Sequence, residues 1–588
     1  MATMTAIRRA SAAILAALTA APAPAAFAAP RALDGPATPL ACTRLGFSPA
    51  TERGEMRVGM PAPSYAAPPP PPLPLPSPQP SPQPSPMASP RVGDLAAGKI
   101  ATPGGFLPPH APVDTERYPD ATPNPVKRSA EEPVSTFSID VDTAAYSNVR
   151  RFLNDGQAPP TDAVRVEELV NYFDYGYAPP TDPARPFSTY VKVAPSPWSA
   201  ERQVVHIGLK GYDIPRAERP PLNLVFLVDT SGSMWSEDRL PLAQKALNLL
   251  VDQLRPQDRV AIVAYAGSAG AVLSPTDGRE KLKVRCALDA LRAGGSTAGG
   301  QGLALAYDLA KQNFDPKAVN RVILMTDGDF NVGVTDNEKL EDFVAAKRKT
   351  GVYLSVYGFG RGNYQDARMQ ALAQNGNGMA AYIDTLAEAR RLLRDDLGSS
   401  LFPIADDVKI QVEFNPATVS EYRLIGYEAR LLNREDFNND QVDAGEVGSG
   451  ASVTALYEIT PAGAKPSSDP LRYGPAAPTP PAGGELAYLK IRYKLPGKPN
   501  SALIERPITP QDRVAAVTAA PEATRWALAV AAFGQKLRGD PRIDPTFGWR
   551  QVIELAQGAR GEDPFGQRAE FVQLVRAAET ARTVNEGD

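Results

Sequence analysis

The sequence contains few of the residues that soft metals and acid–base catalysis need. There are two histidines, His110 and His206, and two cysteines, Cys42 and Cys286, among 588 residues. The cysteines lie far apart, one in an apparent linker and the other in a predicted helix, which excludes a disulfide framework and a cysteine zinc site. Because histidine is the commonest acid–base group in enzymes, this scarcity removes most histidine-based catalysis.

An excess of charge of either sign is also absent. The 62 Lys and Arg residues are balanced by 66 Asp and Glu residues, so the formal net charge is -4. Such a chain has no overall field that would attract nucleic acid, and we expect no nucleic-acid partner. Beyond the N-terminus, no stretch is apolar for the roughly 20 residues that cross a bilayer. We therefore expect no transmembrane helix in the mature chain, whereas membrane association stays open.

The N-terminus has the pattern of a bacterial secretory signal. An arginine pair at 8–9 precedes an Ala/Leu-rich apolar run, and an Ala-Phe-Ala cleavage site ends at position 28. The run is short and is followed by prolines at 22 and 24, which argues against a membrane-spanning helix. We expect residues 1–28 to be removed and the protein to be exported to the periplasm or the cell surface.

Proline is the residue in excess, with 61 in the chain, and it is concentrated in the predicted linker 29–130. Such a segment cannot build a core and prefers extended polyproline II. At about 3.1 Å per residue, the thirty residues 61–90 could hold a domain up to roughly 90 Å from its anchor. A spacer and a disordered segment are equally compatible with this composition. Cys42 follows a poor lipobox that lies far downstream, so we do not expect a lipid anchor, although one is left open.

Ordered structure is predicted from residue 131 onward, in three parts. The N-terminal extension 131–220 has strands at 135–141, 190–193 and 203–209, and helices at 144–153 and 162–173. His206, inside the last of these strands, is predicted to be structural. The C-terminal domain 401–588 is β-rich and then helical, with strands at 408–414, 422–427, 453–459 and 485–493 and helices at 522–537, 548–557 and 567–580.

Between these flanks, residues 221–400 alternate buried strands with amphipathic helices. Predicted strands are 222–228, 259–266, 321–325, 352–359 and 379–383, and predicted helices are 240–254, 281–291, 302–314, 339–349, 366–374 and 386–397. Such alternation implies right-handed βαβ crossovers and helices on both faces of the sheet. We therefore predict an α/β domain with a doubly wound, mainly parallel sheet, flanked by an N-terminal α+β extension and a C-terminal β-rich plus helical domain.

Three polar loops follow strands or enter helices of this domain, at 229–233, 294–297 and 326–329. In open α/β sheets, ligands bind outside the carboxyl ends of the strands, so we expect these loops to meet. Their carboxylates and hydroxyls are hard oxygen ligands that suit Mg²⁺, with Mn²⁺ or Ca²⁺ as alternatives.

The spacing within the first loop supports a metal site. Asp229, Ser231 and Ser233 alternate as the chain leaves a strand, so their side chains can point the same way. Gly232 permits a tight turn between the two serines. Because hydroxyls are neutral ligands, the ion keeps a positive field at its open position, which can accept a carboxylate from a partner.

Asp229, Ser231, Ser233, Thr297 and Asp327 together resemble the metal-ion-dependent adhesion site (MIDAS) of von Willebrand factor type A (vWA) domains. The resemblance covers about 221–397 and includes the order and spacing of all three loops. It implies that both serines and Thr297 coordinate the ion, while the two aspartates hold its water shell. It also implies a protein-binding module of adhesion or assembly, with no catalytic residues and no organic cofactor.

The flanks have a narrower resemblance. Residues 135–143, 165–175 and 326–333 are similar to bacterial exported vWA proteins with an N-terminal extension and a C-terminal domain of unknown function. Residues 558–565 and 569–575 resemble the tail of the same proteins. This similarity bears on architecture more than on biochemistry.

The sequence is also compatible with other functions. One is a structural scaffold of the cell envelope with an incidental metal, and a weaker one is a metal-assisted hydrolase, for which Asp329 is the nearby base. A serine hydrolase is disfavoured because neither serine lies in a nucleophile elbow. Residues 436–446 begin like an EF-hand loop, but Gln441 and Val447 replace the expected glycine and glutamate, so a β-turn is favoured over a calcium site. The Asp-Val-Asp sequence at 140–142 is interpreted as a structural turn.

Overall fold

The computed structural model describes residues 38–47, 116–119, 122–139, 142–297, 299–328, 330, 337–442, 444–468 and 484–581. The strands are β1 (Lys127–Arg128), β2 (Val134–Ser138), β3 (Phe187–Pro195), β4 (Gln203–Gly211), β5 (Leu222–Asp229), β6 (Arg259–Tyr265), β7 (Ala269–Asp277), β8 (Val319–Thr326), β9 (Tyr353–Gly358), β10 (Ala380–Tyr382), β11 (Pro403–Phe414), β12 (Val419–Ile425), β13 (Leu431–Leu432), β14 (Val447–Gly448), β15 (Ser452–Pro461), β16 (Ala487–Lys494) and β17 (Ser501–Ile508).

The α-helices are α1 (Pro39–Arg44), α2 (Ala144–Asn154), α3 (Val166–Val170), α4 (Leu240–Gln253), α5 (Lys281–Asp289), α6 (Gly299–Gln312), α7 (Asn337–Arg348), α8 (Asp366–Asn375), α9 (Leu386–Arg390), α10 (Leu397–Leu401), α11 (Glu522–Leu537), α12 (Trp549–Gly558) and α13 (Gln567–Thr580). A π-helical turn, Arg391–Asp395, joins α9 to α10. No helix in the described part of the chain combines the length and apolarity needed to cross a membrane.

The central α/β domain is built on a six-stranded sheet in the order β10-β9-β8-β5-β6-β7. All neighbours pair in parallel except β7, which is antiparallel to β6. Phe226 and Val228 of β5 pack with α4, whereas Val225 and Leu227 pack with α6 on the other face. Both faces of the strand are thus covered, which explains its uninterrupted apolar sequence. The predicted doubly wound α/β fold is confirmed.

The two flanks form one β-sandwich rather than two separate units. One antiparallel sheet has the order β1-β12-β15-β4-β3, and the other has the order β13-β2-β11-β16-β17 with β14 on β11. Phe137 and Ile410 of one sheet share a core with Ile207 and Tyr457 of the other. Each sheet thus combines strands from the segments predicted as N-terminal (131–220) and C-terminal (401–588) domains. The α/β domain is inserted in the chain between β4 and β11. The sequence did not predict this arrangement, because strand patterns identify strands but not the strands with which they pair.

The C-terminal helices cover the outer face of the five-stranded sheet. Trp526 of α11 and Phe571 of α13 pack with α2 and α3 in a core that also contains Val204 of β4 and Leu456 of β15. His206 is fully buried in β4, with its Nε2 2.6 Å from the Tyr177 hydroxyl and its Nδ1 3.1 Å from Thr524 Oγ1 of α11. It therefore has the structural role that the sequence predicted.

Buried ion pairs fasten the N-terminal helices to the α/β domain. Arg150 of α2 lies 2.9 Å from Glu388 of α9 and also contacts Asp384. Arg165, just before α3, lies 2.6 Å from Asp366 of α8. These arginines are held by carboxylates from a different part of the fold, so the inserted domain and its flank are joined by polar contacts as well as by chain connections.

The prediction about the cysteines is wrong. Cys42 of α1 and Cys286 of α5 form a disulfide, with their Cα atoms 5.2 Å apart. Helix α1 and strand β1 also lie within 29–130, the stretch predicted to be an unstructured linker. Spacing along the chain gave no hint of the bond, because the approach of the two cysteines depends on how α1 packs on the α/β domain. A disulfide also leaves Cys42 no thiol for a lipid.

Candidate metal site

Asp229 is the last residue of β5, and its carboxylate is buried at the carboxyl edge of the sheet. Its Oδ1 accepts from the backbone N–H of Ser231 at 2.8 Å. Its Oδ2 accepts from the Tyr265 hydroxyl at 3.0 Å and from Thr326 Oγ1 at 3.2 Å. Since Tyr265 ends β6 and Thr326 ends β8, the ends of three neighbouring strands orient this one carboxylate.

Ser231 and Ser233 stand side by side in the turn that follows β5. Their hydroxyl oxygens are 3.0 Å apart, so they share a hydrogen bond. Ser231 precedes the short 3-10 helix Gly232–Trp235, and this one-turn helix brings the second serine back beside the first. Two neutral oxygens therefore lie beside a buried carboxylate.

The second loop is tied to the first through its backbone. The Gly294 N–H donates to Thr230 O at 2.8 Å, and the Gly232 N–H donates to Gly295 O at 2.9 Å. These bonds bring the segment that contains Thr297 to the same edge of the sheet. Thr297 is half-buried, and it makes no hydrogen bond with the other residues that the structure describes.

Asp327, which follows β8, is fully buried and is paired with Arg239. The Arg239 Nη1 donates to Asp327 Oδ2 at 2.8 Å and to Ser233 O at 2.6 Å. Its Nη2 donates to Asn363 Oδ1 at 2.8 Å. Arg239 thus connects the first and third loops. The sequence does not identify it, because a single arginine after the motif has no distinctive pattern.

Gly360 is required for this arrangement. It has a φ of +77°, and a Cβ built on it would lie 2.1 Å from Arg239 Nε. A side chain there would displace the guanidinium. Left-handed backbone also costs any other residue energy, so glycine meets both requirements.

The electrostatics of the site favour a cation. Burial is the main cause that raises the pKa of Asp229 to about 6; the charge of Asp327 also contributes to this rise, whereas the hydrogen bonds from Ser231 and Tyr265 oppose it. Asp229 is therefore mostly ionised at neutral pH. The two carboxylates carry two negative charges and Arg239 carries one positive charge, so the site as a whole has a net charge of about -1.

The side chains present fit a hard divalent ion. Buried carboxylates and hydroxyls at one sheet edge are the oxygen donors that Mg²⁺ and Ca²⁺ prefer. Within the described residues, no group of three or more His, Cys, Asp or Glu could hold an ion, so a site at this edge depends on the serines and Thr297.

Other candidate positions have structural partners or lie outside the described residues. Asp329, the proposed base of a hydrolase, and Asp443 of the EF-hand-like segment are among the latter. In that segment, Asp436 accepts from Asn433 N at 2.9 Å and Asp440 from Arg492 at 3.1 Å. Asp142 accepts from Ala380 N at 2.9 Å, which fits a structural turn.

Family models match the chain in three segments. They are described as von Willebrand factor for residues 112–206, von Willebrand factor type A domain for 223–395, and uncharacterized protein YfbK, C-terminal, for 399–581. The uncharacterized protein YfbK of Escherichia coli (strain K12) is 46% identical over 505 residues, which are 84% of this chain and 85% of that protein. The uncharacterized protein sll0103 of Synechocystis is 30% identical over 201 residues, covering 34% of this chain and 46% of that one.

Solved structures also resemble parts of the chain. A von Willebrand factor type A structure from Catenulispora acidiphila has a TM-score of 0.38 at 15% identity and covers 70% of this chain and 99% of its own. Proximal thread matrix protein 1 from the mussel byssus, with a zinc-occupied MIDAS motif, has a TM-score of 0.26 at 19% identity. It covers 31% of this chain and 48% of its own.

Proposed function

Because the chain belongs to the family of Escherichia coli YfbK and carries a von Willebrand factor type A domain, we propose that it binds a protein partner through a divalent metal ion. Metal-dependent protein interaction through a MIDAS is the activity for which vWA domains are known. The proposed seat is formed by Asp229, Ser231, Ser233, Thr297 and Asp327, with Mg²⁺ as the expected ion.

The observation that carries the proposal is the pair of serine hydroxyls, 3.0 Å apart, beside two buried carboxylates of which one is already paired with Arg239. A bound divalent ion would change the net charge of the site from about -1 to about +1. A carboxylate from the partner would then neutralise it. A site with this charge favours an acidic side chain over a neutral one.

Calorimetric titration of the purified protein with Mg²⁺ tests the metal seat. Ser233→Ala removes one hydroxyl whose described side-chain contact is with Ser231, so it should fold normally and bind the ion at least tenfold more weakly. Ser268→Ala, an exposed serine in the loop after β6, is the matched control and should bind as the wild type does. Equal affinity in all three proteins would contradict the proposal. Titrations with Mn²⁺ and Ca²⁺ establish which ion is preferred.

We further propose that the protein is exported and acts in the periplasm or at the cell surface. The signal pattern at 1–28 supports this, although it lies outside the described residues. The Cys42–Cys286 disulfide supports it independently, because such bonds persist mainly in oxidising compartments. Fractionation of cells expressing the full chain, followed by mass spectrometry of its N-terminus, tests the location. A cytoplasmic protein with an intact N-terminus would contradict it.

The proposed role is binding without catalysis. In this role the partner is captured only when the ion is present. Capture that persists after chelation would indicate the scaffold alternative instead. Turnover of generic phosphoesters that depends on Mg²⁺ and is lost in Ser233→Ala would indicate a hydrolase.

A further inference from the structure

Trp235 is a large apolar side chain that lies in solvent beside the candidate metal site. It ends the 3-10 helix Gly232–Trp235 and is 76% exposed. Met234, the residue before it, is fully buried and anchors this turn in the core. Trp198 and Trp526, by contrast, are both buried. The exposure of Trp235 therefore comes from a fixed turn that directs one residue inward and the next outward.

The described residues of the loops at the metal seat expose mainly small side chains, namely those of Gly232, Gly294, Gly295 and Ser296. The acidic Glu237, two residues after Trp235, is exposed as well. Trp235 follows Ser233 by two residues, so their Cα atoms are at most about 7.6 Å apart. Among the residues that the structure describes, a partner that approached the metal seat would meet exposed glycine and serine residues and the indole of Trp235.

Exposed tryptophans at such positions are typical of binding hot spots. The indole offers a large apolar area with few rotatable bonds, so burying it at an interface costs little conformational entropy. Tryptophan is accordingly enriched among the few interface residues that dominate affinity. In the described structure, Trp235 is too exposed to contribute much to the core of its own domain.

We propose that Trp235 packs against an apolar side chain of the partner, immediately next to the carboxylate that the metal site receives. The recognised element is then an acidic residue with a large apolar neighbour in sequence. This inference rests on the proposed metal-dependent function and adds the specificity of the same site. The metal position selects the acid, and Trp235 selects its neighbour.

Synthetic peptides provide a defined probe that needs no known partner. Labelled nonapeptides with blocked ends carry one central Glu in a Gly/Ser background, with Leu, Phe or Gly beside it. Fluorescence anisotropy with the full protein at saturating Mg²⁺ gives their affinities. We expect the Leu and Phe peptides to bind at least tenfold more tightly than the Gly peptide.

Variants then assign this preference to the indole. Trp235→Ala should reduce the preference to less than threefold, and Trp235→Phe should restore part of it. Phe565→Ala is the matched control, since Phe565 is 60% exposed but lies in the C-terminal helical region, and it should leave the preference unchanged. An unchanged preference in Trp235→Ala, or no preference in the wild type, would overturn the inference.

The same peptides separate this failure from failure of the proposed function. Replacing the central Glu by Gln should abolish binding, and Ser233→Ala should bind the Glu peptides about tenfold more weakly when the Mg²⁺ concentration is held well below its Kd for the wild type. If the Glu peptides bind in a Mg²⁺-dependent way with the same affinity whether Leu, Phe or Gly stands beside the Glu, the metal function stands and the proposed role of Trp235 is wrong. If Gln peptides bind as well as Glu peptides, or Ser233→Ala binds normally, both proposals are wrong.

Discussion

Arg239 and Asp327 form an ion pair of 2.8 Å between a partly exposed guanidinium and a fully buried carboxylate. The same nitrogen of Arg239 donates to the backbone oxygen of Ser233. Arg239 therefore compensates the charge of the third loop and fixes the turn that carries the serines. It connects the stability of the domain to the geometry of the candidate metal seat.

Replacing Arg239 by Met should destabilise the metal-free protein and make it more responsive to Mg²⁺. Breaking a buried pair leaves an uncompensated carboxylate, at a cost of about 3 kcal/mol. A divalent ion can compensate the same charge, so Mg²⁺ should restore part of this loss. Urea denaturation with and without Mg²⁺ measures the effect, and Arg292→Met, at an exposed arginine before the second loop, is the control. If Mg²⁺ increased the free energy of unfolding of Arg239→Met by no more than it does for the wild type, the prediction would be wrong.

His206 should make the protein less stable in mild acid. Burial lowers the pKa of His206 to about 3, below its ordinary value of 6.5. The unfolded chain therefore takes up a proton that the folded chain does not, and the free energy of unfolding falls as pH falls from 6.5 toward 3. Between pH 7 and pH 5 the loss is about 2 kcal/mol.

The control for this effect is His206→Gln, which cannot titrate in this range but keeps polar atoms near Tyr177 and Thr524. Urea denaturation of both proteins at pH 7 and pH 5 gives the difference. The wild type should lose about 2 kcal/mol more than the variant over this interval. If both proteins lost the same free energy of unfolding between pH 7 and pH 5, His206 would have to take up a proton in the folded protein as well.

Glu167→Gln should stabilise the protein at alkaline pH. Burial is the main cause that raises the pKa of Glu167 to about 7, and the charges of Glu428 and Glu168 contribute to the same rise. Its Oε2 has no hydrogen-bond partner among the described residues. Because the folded state holds the proton more tightly, stability is lost as pH rises from 4.5 to 7.

The amide removes this penalty, so the variant should be more stable than the wild type at pH 8 by on the order of 3 kcal/mol. At pH 4.5 the two proteins should be nearly equal in stability. Thermal or urea unfolding at pH 8 and pH 4.5 shows which protein is the more stable at each pH. A variant that is less stable at pH 8 would show that the Glu167 carboxylate is ionised and compensated in the fold.

Removal of the disulfide should destabilise the protein and release α1. The chain-entropy model assigns about 5 kcal/mol to a closed loop of this length, which is an upper value because α1 can detach by itself. Cys42→Ser with Cys286→Ser should therefore unfold at a lower temperature than the oxidised wild type. Thiol titration of the denatured protein checks the bond directly. Two free thiols without reductant would contradict it.

The sequence predicted the α/β domain and the positions of its loops because both depend on local patterns. A strand covered on both faces, such as β5, is apolar throughout, and the residues after it are polar because they lie at the sheet edge. Strands β7 and β17 escaped prediction, since both lie at sheet edges and β17 alternates weakly, with charged residues and a proline among its apolar ones. The helix predicted at 162–173 is reduced to a 3-10 turn and the short α3.

The remaining features depend on contacts between distant segments. The pairing of β4 with β15 spans the whole inserted domain, and no local pattern identifies it. Tyr265 contacts Asp229 and Arg239 contacts Asp327, but a tyrosine at the end of a strand and an arginine before a helix are common. The spacing of the five proposed site residues is distinctive, so a metal site could be proposed from the sequence alone, and it stays a prediction.

The disulfide also changes how far the protein can reach from its N-terminus. Because Cys42 is bonded to α5, the proline-rich segment starts and ends on the same folded body, near Phe47 and Glu116. Its length therefore does not separate the domain from an anchor. A membrane attachment at residue 29 would be thirteen residues from Cys42, or at most roughly 45 Å. With such an attachment, the oxidised protein would stay close to the membrane, and reduction of the disulfide would add the whole proline-rich segment to the distance that the domain can reach.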